Sequence, residues 1–190
     1  RNLYDRRLKT FHDLLDQTIS DLKVPWEDVY PRIESSSRVE QLGITPDELK
    51  RLYLSYAEAR YVNAQQDLKQ LVRENWFAQF QLRQALANES VCHALRDKRT
   101  ADIVAATLAE EEGREAEEIS QNMASSRGSA SLEGFLHDLK HLYQILSRDS
   151  RYLIFHQFPD ERDRIIREAL ESMIESAKKQ SAYGIVPGTS

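Results

Sequence analysis

Few residues in this 190-residue chain are of a type and spacing that could do chemistry. His137 and His141 stand four apart, which would put two imidazoles on one face of a helix where they could share a metal ion. The intervening Asp138-Leu139-Lys140 lacks the glutamate of the zinc-protease pattern and no third ligand is evident. The pair therefore reads as an ordinary helix face, and no metal is expected. His12, His93 and His156 read as packing or surface residues. Cys92 is the single cysteine, which excludes an intrachain disulfide and a four-cysteine zinc site. No glycine-rich phosphate loop, nucleophile elbow or Ser-His-Asp arrangement is visible. Carboxylates without a pocket say nothing about acid–base catalysis, so neither an enzyme nor a cofactor is expected. Asn88-Glu89-Ser90 matches a glycosylation sequon that would matter only in a secreted chain.

One charged cluster remains. Arg96, Lys98 and Arg99 fall in a short turn before a predicted helix start. Free N–H groups and the positive end of a helix favour an anion there. Two arginines could grip a phosphate through charge-assisted hydrogen bonds, so this is the expected seat of an acidic or phosphorylated peptide. The same side chains could instead solvate the turn and pair with Asp97 and Asp102.

The elements that must position these residues are helical. Leu8, Phe11, Leu14, Leu15 and Ile19 form one apolar stripe at three- and four-residue spacing. Pro25 fits at or just before the start of a second helix carrying Trp26, Val29 and Ile33. Ser35-Ser36-Ser37 interrupts it, a short turn with Val39 and Leu42 inward follows, and Gly43 gives a break. Thr45-Pro46-Asp47-Glu48 starts a third helix, with Thr45 as N-cap, Pro46 first in the helix and Glu48 completing a capping box. That helix presents Leu49, Leu52, Tyr53 and Tyr56. Phe11 and Trp26 are expected in the core, and helical spacing makes core packing the better reading of Tyr53 and Tyr56 than a ligand shelf.

The pattern returns. Asp67–Val72 echoes Thr10–Leu15, and no Pro or Gly separates Ala57 from Asn75, so the third helix is expected to run on into the next stripe, Leu68, Leu71 and Val72. Trp76 and Phe77 are expected to cap a middle core rather than to offer an exposed anchor, followed by helices around Leu82 and Leu86, then Val91 and Leu95, then Ile103, Val104 and Leu108. Phe158-Pro159-Asp160-Glu161 repeats Thr45-Pro46-Asp47-Glu48 at an offset of 113, which also maps Arg38 onto Arg151, Leu42 onto Phe155, Leu52 onto Ile165 and Tyr53 onto Ile166. A first helix for this third copy is expected around Ala116, Ile119 and Met123, after the acidic run Glu110-Glu111-Glu112, with a loop over 124–131. The predicted fold class is all-α: three tandem helical bundles over 1–58, 59–109 and 110–179, joined by long shared helices, with a flexible tail over 180–190.

Helix, loop, helix, short turn, helix in some 55–65 residues resembles the FF domain. In the first copy Phe11 with Leu14-Leu15 is similar to the first signature aromatic and its dileucine. Trp26 resembles the tryptophan that opens the second helix, and Arg38 the arginine before the short 3₁₀ turn. Leu52-Tyr53 with Tyr56 resembles the Leu-Phe…Tyr of the third helix, with Tyr53 in place of the second phenylalanine. Leu68 and Val104 stand at the aromatic positions of the second copy, Ile119 and Ile166 at those of the third. Asp149-Ser150-Arg151-Tyr152 resembles the family's Asp-x-Arg-Phe/Tyr. The resemblance implies a scaffold in pre-mRNA splicing, in the nucleus, bridging spliceosomal proteins and the phosphorylated C-terminal domain of RNA polymerase II. The alternatives are the FF array of a transcription elongation regulator and a helical module contacting RNA directly.

Composition bounds these readings. The hydrophobic fraction of 41% excludes a disordered chain of low hydrophobicity. No apolar run approaches the roughly 20 residues that cross a bilayer, and no signal peptide opens the sequence. Starting at Arg1 rather than Met, the chain is expected to be part of something longer. Net charge is −5 overall. The three copies carry nine basic against eleven acidic side chains, seven against five, and ten against fifteen. Only the middle copy is positive, which argues against broad binding of nucleic-acid phosphates. A monomer that binds proteins, with no membrane contact, is the expectation.

Overall fold

The computed structural model describes residues 1–75, 78–79 and 132–182. Arg96, Lys98, Arg99, Cys92, Trp76, Phe77 and the expected helices of the middle copy lie outside the described residues, as do the expected helix around Ile119 and the 124–131 loop. Among the described residues every regular element is a helix: α1 Asn2–Thr18, α2 Trp26–Ile33, α3 Ser37–Glu40, α4 Pro46–Glu74, α5 Leu132–Leu146, α6 Ser150–Leu153 and α7 Pro159–Ala182. The chain is all-α in this sense, and it divides into two compact units, Arg1–Gln66 and Asp67–Ser190.

The first unit follows from its punctuation. Pro25 stands at the N-cap of α2, where its missing N–H costs nothing, and Glu27 and Asp28 occupy the first turn, where carboxylates suit the helix dipole. Ser36 caps α3 by accepting the Arg38 N–H at 3.3 Å. Gly43 turns the chain at φ 62, which a side chain rarely adopts. Thr45 Oγ1 then accepts the Glu48 N–H at 3.3 Å as α4 begins. Phe11, Leu15, Ile19, Val29, Ile33, Leu42, Leu49 and Tyr53 close into one core. Trp26 differs from its expected place. It is half-buried and packs on the edge of that core, its ring centroid 5.4 Å from Tyr53 and 5.2 Å from Tyr30. As the first residue of α2 it sits where the helix enters the bundle, one turn before the fully buried Val29.

The described part of the second unit repeats this backbone from α2 to the start of α4. With the offset of 113, α3 maps onto α6, the start of α4 onto that of α7, and α2 onto the last eight residues of α5. The hydrogen bonds recur with it: Ser36 to Ile33 and Asp149 to Leu146, Gln41 to Ser37 and Ile154 to Ser150, Leu42 to Val39 and Phe155 to Tyr152. So does burial, since Val29 and Leu142, Ile33 and Leu146, and Tyr53 and Ile166 are each 2% exposed or less. α4 crosses Tyr53 to Val72 unbroken, as the absence of Pro and Gly led one to expect. Its last two turns belong to the second unit. Leu68, Leu71 and Val72 are buried there, Lys69 Nζ lies 3.9 Å from Glu168 of α7, and Glu74 bonds to Arg151 of α6. The spacing of 57 that relates Leu68 to Phe11 and Val72 to Leu15 thus gives the end of α4 buried positions like those of α1 in the first unit. α7 runs through Ala182 because the first breaker beyond it is Gly184.

Core depth sets an expected ranking. Phe11→Ala should destabilise the first unit by about 3–5 kcal/mol, and Trp26→Ala by about half as much, because its exposed part has little transfer energy to lose. Urea unfolding followed by helical circular dichroism measures both. Equal losses at the two positions would place Trp26 in the core after all.

Candidate functional site

The described surface offers a candidate site at the start of α1. The helix is 17 residues long, about 26 Å at 1.5 Å per residue. Its apolar stripe runs Tyr4, Leu8, Phe11, Leu15, and the bundle covers only the later half. Phe11 and Leu15 are fully buried and Leu8 is half-buried, while Tyr4 is 54% exposed and Leu3 beside it 60%. Every residue from Arg1 to Arg7 is exposed. Arg1, Arg6, Arg7 and Lys9 stand there against Asp5 alone. The result is a short amphipathic ridge whose apolar tip is flanked by cations. One spacing of 57 on, the counterpart of Tyr4 is Tyr61, which is 6% exposed with the Lys23 ammonium 3.7 Å from its ring centroid. The same side chain at the same register is thus a packing position elsewhere in the chain.

The covered half of α1 is held by polar side chains from α3 and α4. Arg38 donates to Gln17 Oε1 at 3.2 Å. The Tyr56 hydroxyl donates to the Asp16 carboxylate, and the Tyr53 hydroxyl to the Val24 carbonyl. Arg60 donates to the carbonyls of Asp21 at 2.7 Å and Ser20 at 2.8 Å. Burial raises the pKa of both tyrosines, with Asp16 raising that of Tyr56 further, so both hydroxyls keep their protons and remain donors at neutral pH. Both are committed to partners within the first unit. His12, Tyr56, Tyr53, Trp26 and Tyr30 form a row of tilted rings that stiffens this face.

The second unit has an ionic counterpart of the Arg38 link. Asp149 Oδ1 accepts the Arg151 N–H at 2.9 Å and its Nε–H at 3.0 Å, and Oδ2 accepts from a terminal guanidinium nitrogen at 3.0 Å. That nitrogen also reaches Glu74 Oε1 at 2.5 Å. The hydrogen bonds from Arg151 hold both carboxyls below their ordinary pKa values. Elsewhere, His141 is half-buried on α5, and among the described residues no group of three His, Cys, Asp or Glu side chains could hold a metal ion. No described helix is long and apolar enough to cross a membrane.

The α1 ridge escaped the sequence reading although its signal was present. Tyr4 continues the Leu8–Phe11 stripe back by one turn, and four of the first nine residues are cations. Charge summed over a whole copy, negative for residues 1–58, hid the positive start. No family model, curated protein or solved structure matches the chain.

The Arg151 link sets a pH dependence. Asp149 and Glu74 have lowered folded-state values, so their contribution is fully present above their ordinary values of 3.8 and 4.5. It is lost as the pH falls through the lowered ones. Melting curves of the parent and Arg151→Gln should therefore differ near neutral pH and converge in strong acid, below the ordinary carboxylate range. A gap that persists in strong acid would mean the arginine acts by packing instead.

Proposed function

We propose that this chain is a non-enzymatic, FF-type interaction module that acts as a monomer and binds proteins through the start of α1. The observation that carries the reading is the exposed Leu3–Tyr4 tip set among Arg1, Arg6, Arg7 and Lys9. A solvated helix face has no need of two large apolar side chains in a first turn that the bundle leaves uncovered. The cations favour an acidic partner segment and would speed encounter with it. A leucine and a tyrosine supply the apolar anchor that such a segment needs. The FF character is supported by the residues of the first copy and by the return of the short helix with its capped arginine at 36–38 and 149–151. Work in nuclear pre-mRNA processing, with spliceosomal proteins or the phosphorylated tail of RNA polymerase II as partners, rests on the sequence resemblance. The basic cluster Arg96, Lys98 and Arg99 is a second seat for an anion under the same reading.

The test is a fluorescence anisotropy titration of the full chain with three probes. These are an acidic peptide with a central leucine or phenylalanine, a phosphorylated polymerase-tail peptide and a single-stranded RNA. The acidic peptide should bind with marked salt dependence. Leu3→Ser with Tyr4→Ser, or Arg6→Glu with Arg7→Glu, should weaken it at least tenfold, about 1.4 kcal/mol, with the helical spectrum unchanged. Peptide binding that ignores both double variants would remove the α1 site. RNA binding in place of peptide binding would favour direct RNA contact.

A further inference from the structure

We propose that Ser36 is a phosphorylation site, and that its phosphate would turn the Ser36–Arg38–Gln17 link, which has a cation but no anion, into the ion pair that the second unit already carries. Ser36 and Asp149 occupy the same place in the repeated backbone. Asp149 grips both the N–H and the guanidinium of Arg151, which reaches on to Glu74 near the end of α4. Ser36 reaches only the Arg38 N–H, at a longer 3.3 Å. The Arg38 guanidinium turns to the neutral amide of Gln17, near the end of α1. Among the described residues no carboxylate pairs with Arg38, so the first unit has the cation of this motif without its anion. The arginine side chain is the anion's partner here, and a helix of four residues adds nothing to it. Ser36 is half-buried between the exposed Ser35 and Ser37, with exposed Arg32 four residues before it.

The reaction is phosphoryl transfer from a nucleoside triphosphate, catalysed by an arginine-directed serine kinase. Ser36 Oγ attacks the terminal phosphorus and an O–P bond forms. The bond from that phosphorus to the bridging oxygen breaks, the nucleoside diphosphate leaves, and the hydroxyl proton passes to the base of the kinase. The product carries nearly two negative charges and three acceptor oxygens. It lies close enough to Arg38 to take both its N–H and its guanidinium, as Asp149 does for Arg151. The link between α3 and α1 would tighten, whatever α1 binds at its other end.

The test has two arms. In the first, the chain is treated with an arginine-directed serine kinase and ATP, and fragment mass spectrometry locates the phosphate. Incorporation at Ser36 supports the proposal; incorporation confined to Ser35 or Ser37, or none, overturns it. In the second, phosphoserine is placed at position 36 by expanded-code expression, alone and with Arg38→Gln, beside Ser36→Asp as a variant needing no phosphate. The midpoint of thermal unfolding should rise by roughly 4 °C in the phosphoserine protein, and in the same direction in Ser36→Asp. The phosphorus NMR titration should give a second pKa below the usual value of about 6, returning to it in Arg38→Gln. An unchanged or lowered midpoint in both substituted proteins, or a phosphate pKa that ignores Arg38, overturns the proposal.

Discussion

The first unit depends on how α4 ties down the connection between α1 and α2, which holds a turn at Leu22 and Lys23 but no helix. The carbonyls of Asp21 and Val24 lie in part-buried hydrogen bonds, and a buried carbonyl left without a donor is costly. α4 answers with Tyr53, Tyr56 and Arg60, spaced three and four apart so that all project from one face. Tyr53 and Arg60 reach the carbonyls of Val24, Asp21 and Ser20 in the connection, and Tyr56 between them donates to the Asp16 carboxylate of α1. Lys23, held at φ 52, is placed by the same connection over Tyr61, the residue after Arg60. At the corresponding positions of α7 stand Ile166, Ala169, Met173 and Ile174, which offer no strong donors. The clamp is therefore specific to the short connection of the first unit, while the backbone frame around it is common to both.

α4 works by changing faces along its length. Its first half gives Leu49 and Tyr53 to the core of the first unit, its middle gives Arg60 and Tyr61 to the connection, and its last turns bury Leu68, Leu71 and Val72 in the second unit. A single amphipathic stripe cannot serve two cores. The sequence meets this by passing the stripe from one register to the next across Ala57 to Gln66 without a breaking residue. Each small core alone would be marginal, and a continuous helix spares each of them one frayed end.

What the sequence made legible was local. Helix starts could be read at Thr45-Pro46 and at Pro159 because caps and first-turn prolines act through neighbouring residues. The equivalence of 36–38 with 149–151 could be read because one offset related several positions. Depth in the core was less legible. Periodicity places Trp26 and Val29 on one face but cannot tell the mouth of the bundle from its middle. Tyr53 and Tyr56 were readable as packing residues, yet the targets of their hydroxyls were not, since Val24 and Asp16 lie 29 and 40 residues away. The α1 ridge was hidden for a further reason: exposure depends on where the other helices stop, and no single stripe records that.

Where the described parts of the two units share a backbone, they hold it by different electrostatics. In the first, a serine cap, an amide and two tyrosine hydroxyls carry much of the polar bonding, and rings fill the edge of the core. In the second, ion pairs do the corresponding work, with Arg151 between Asp149 and Glu74, Arg164 between Glu161 and Glu168, and Lys69 beside Glu168. These ion pairs are partly solvated and individually contribute little to stability. Their effect is geometric: the bidentate pair with Asp149 fixes the Arg151 guanidinium at the cap of α6, and from there one hydrogen bond of 2.5 Å reaches Glu74 on α4, where Arg38 reaches Gln17 on α1 at 3.2 Å. The first unit therefore keeps a looser bond between α3 and α1, the helix whose exposed start carries the chain's described apolar ridge, while the second fixes α6 to the end of α4.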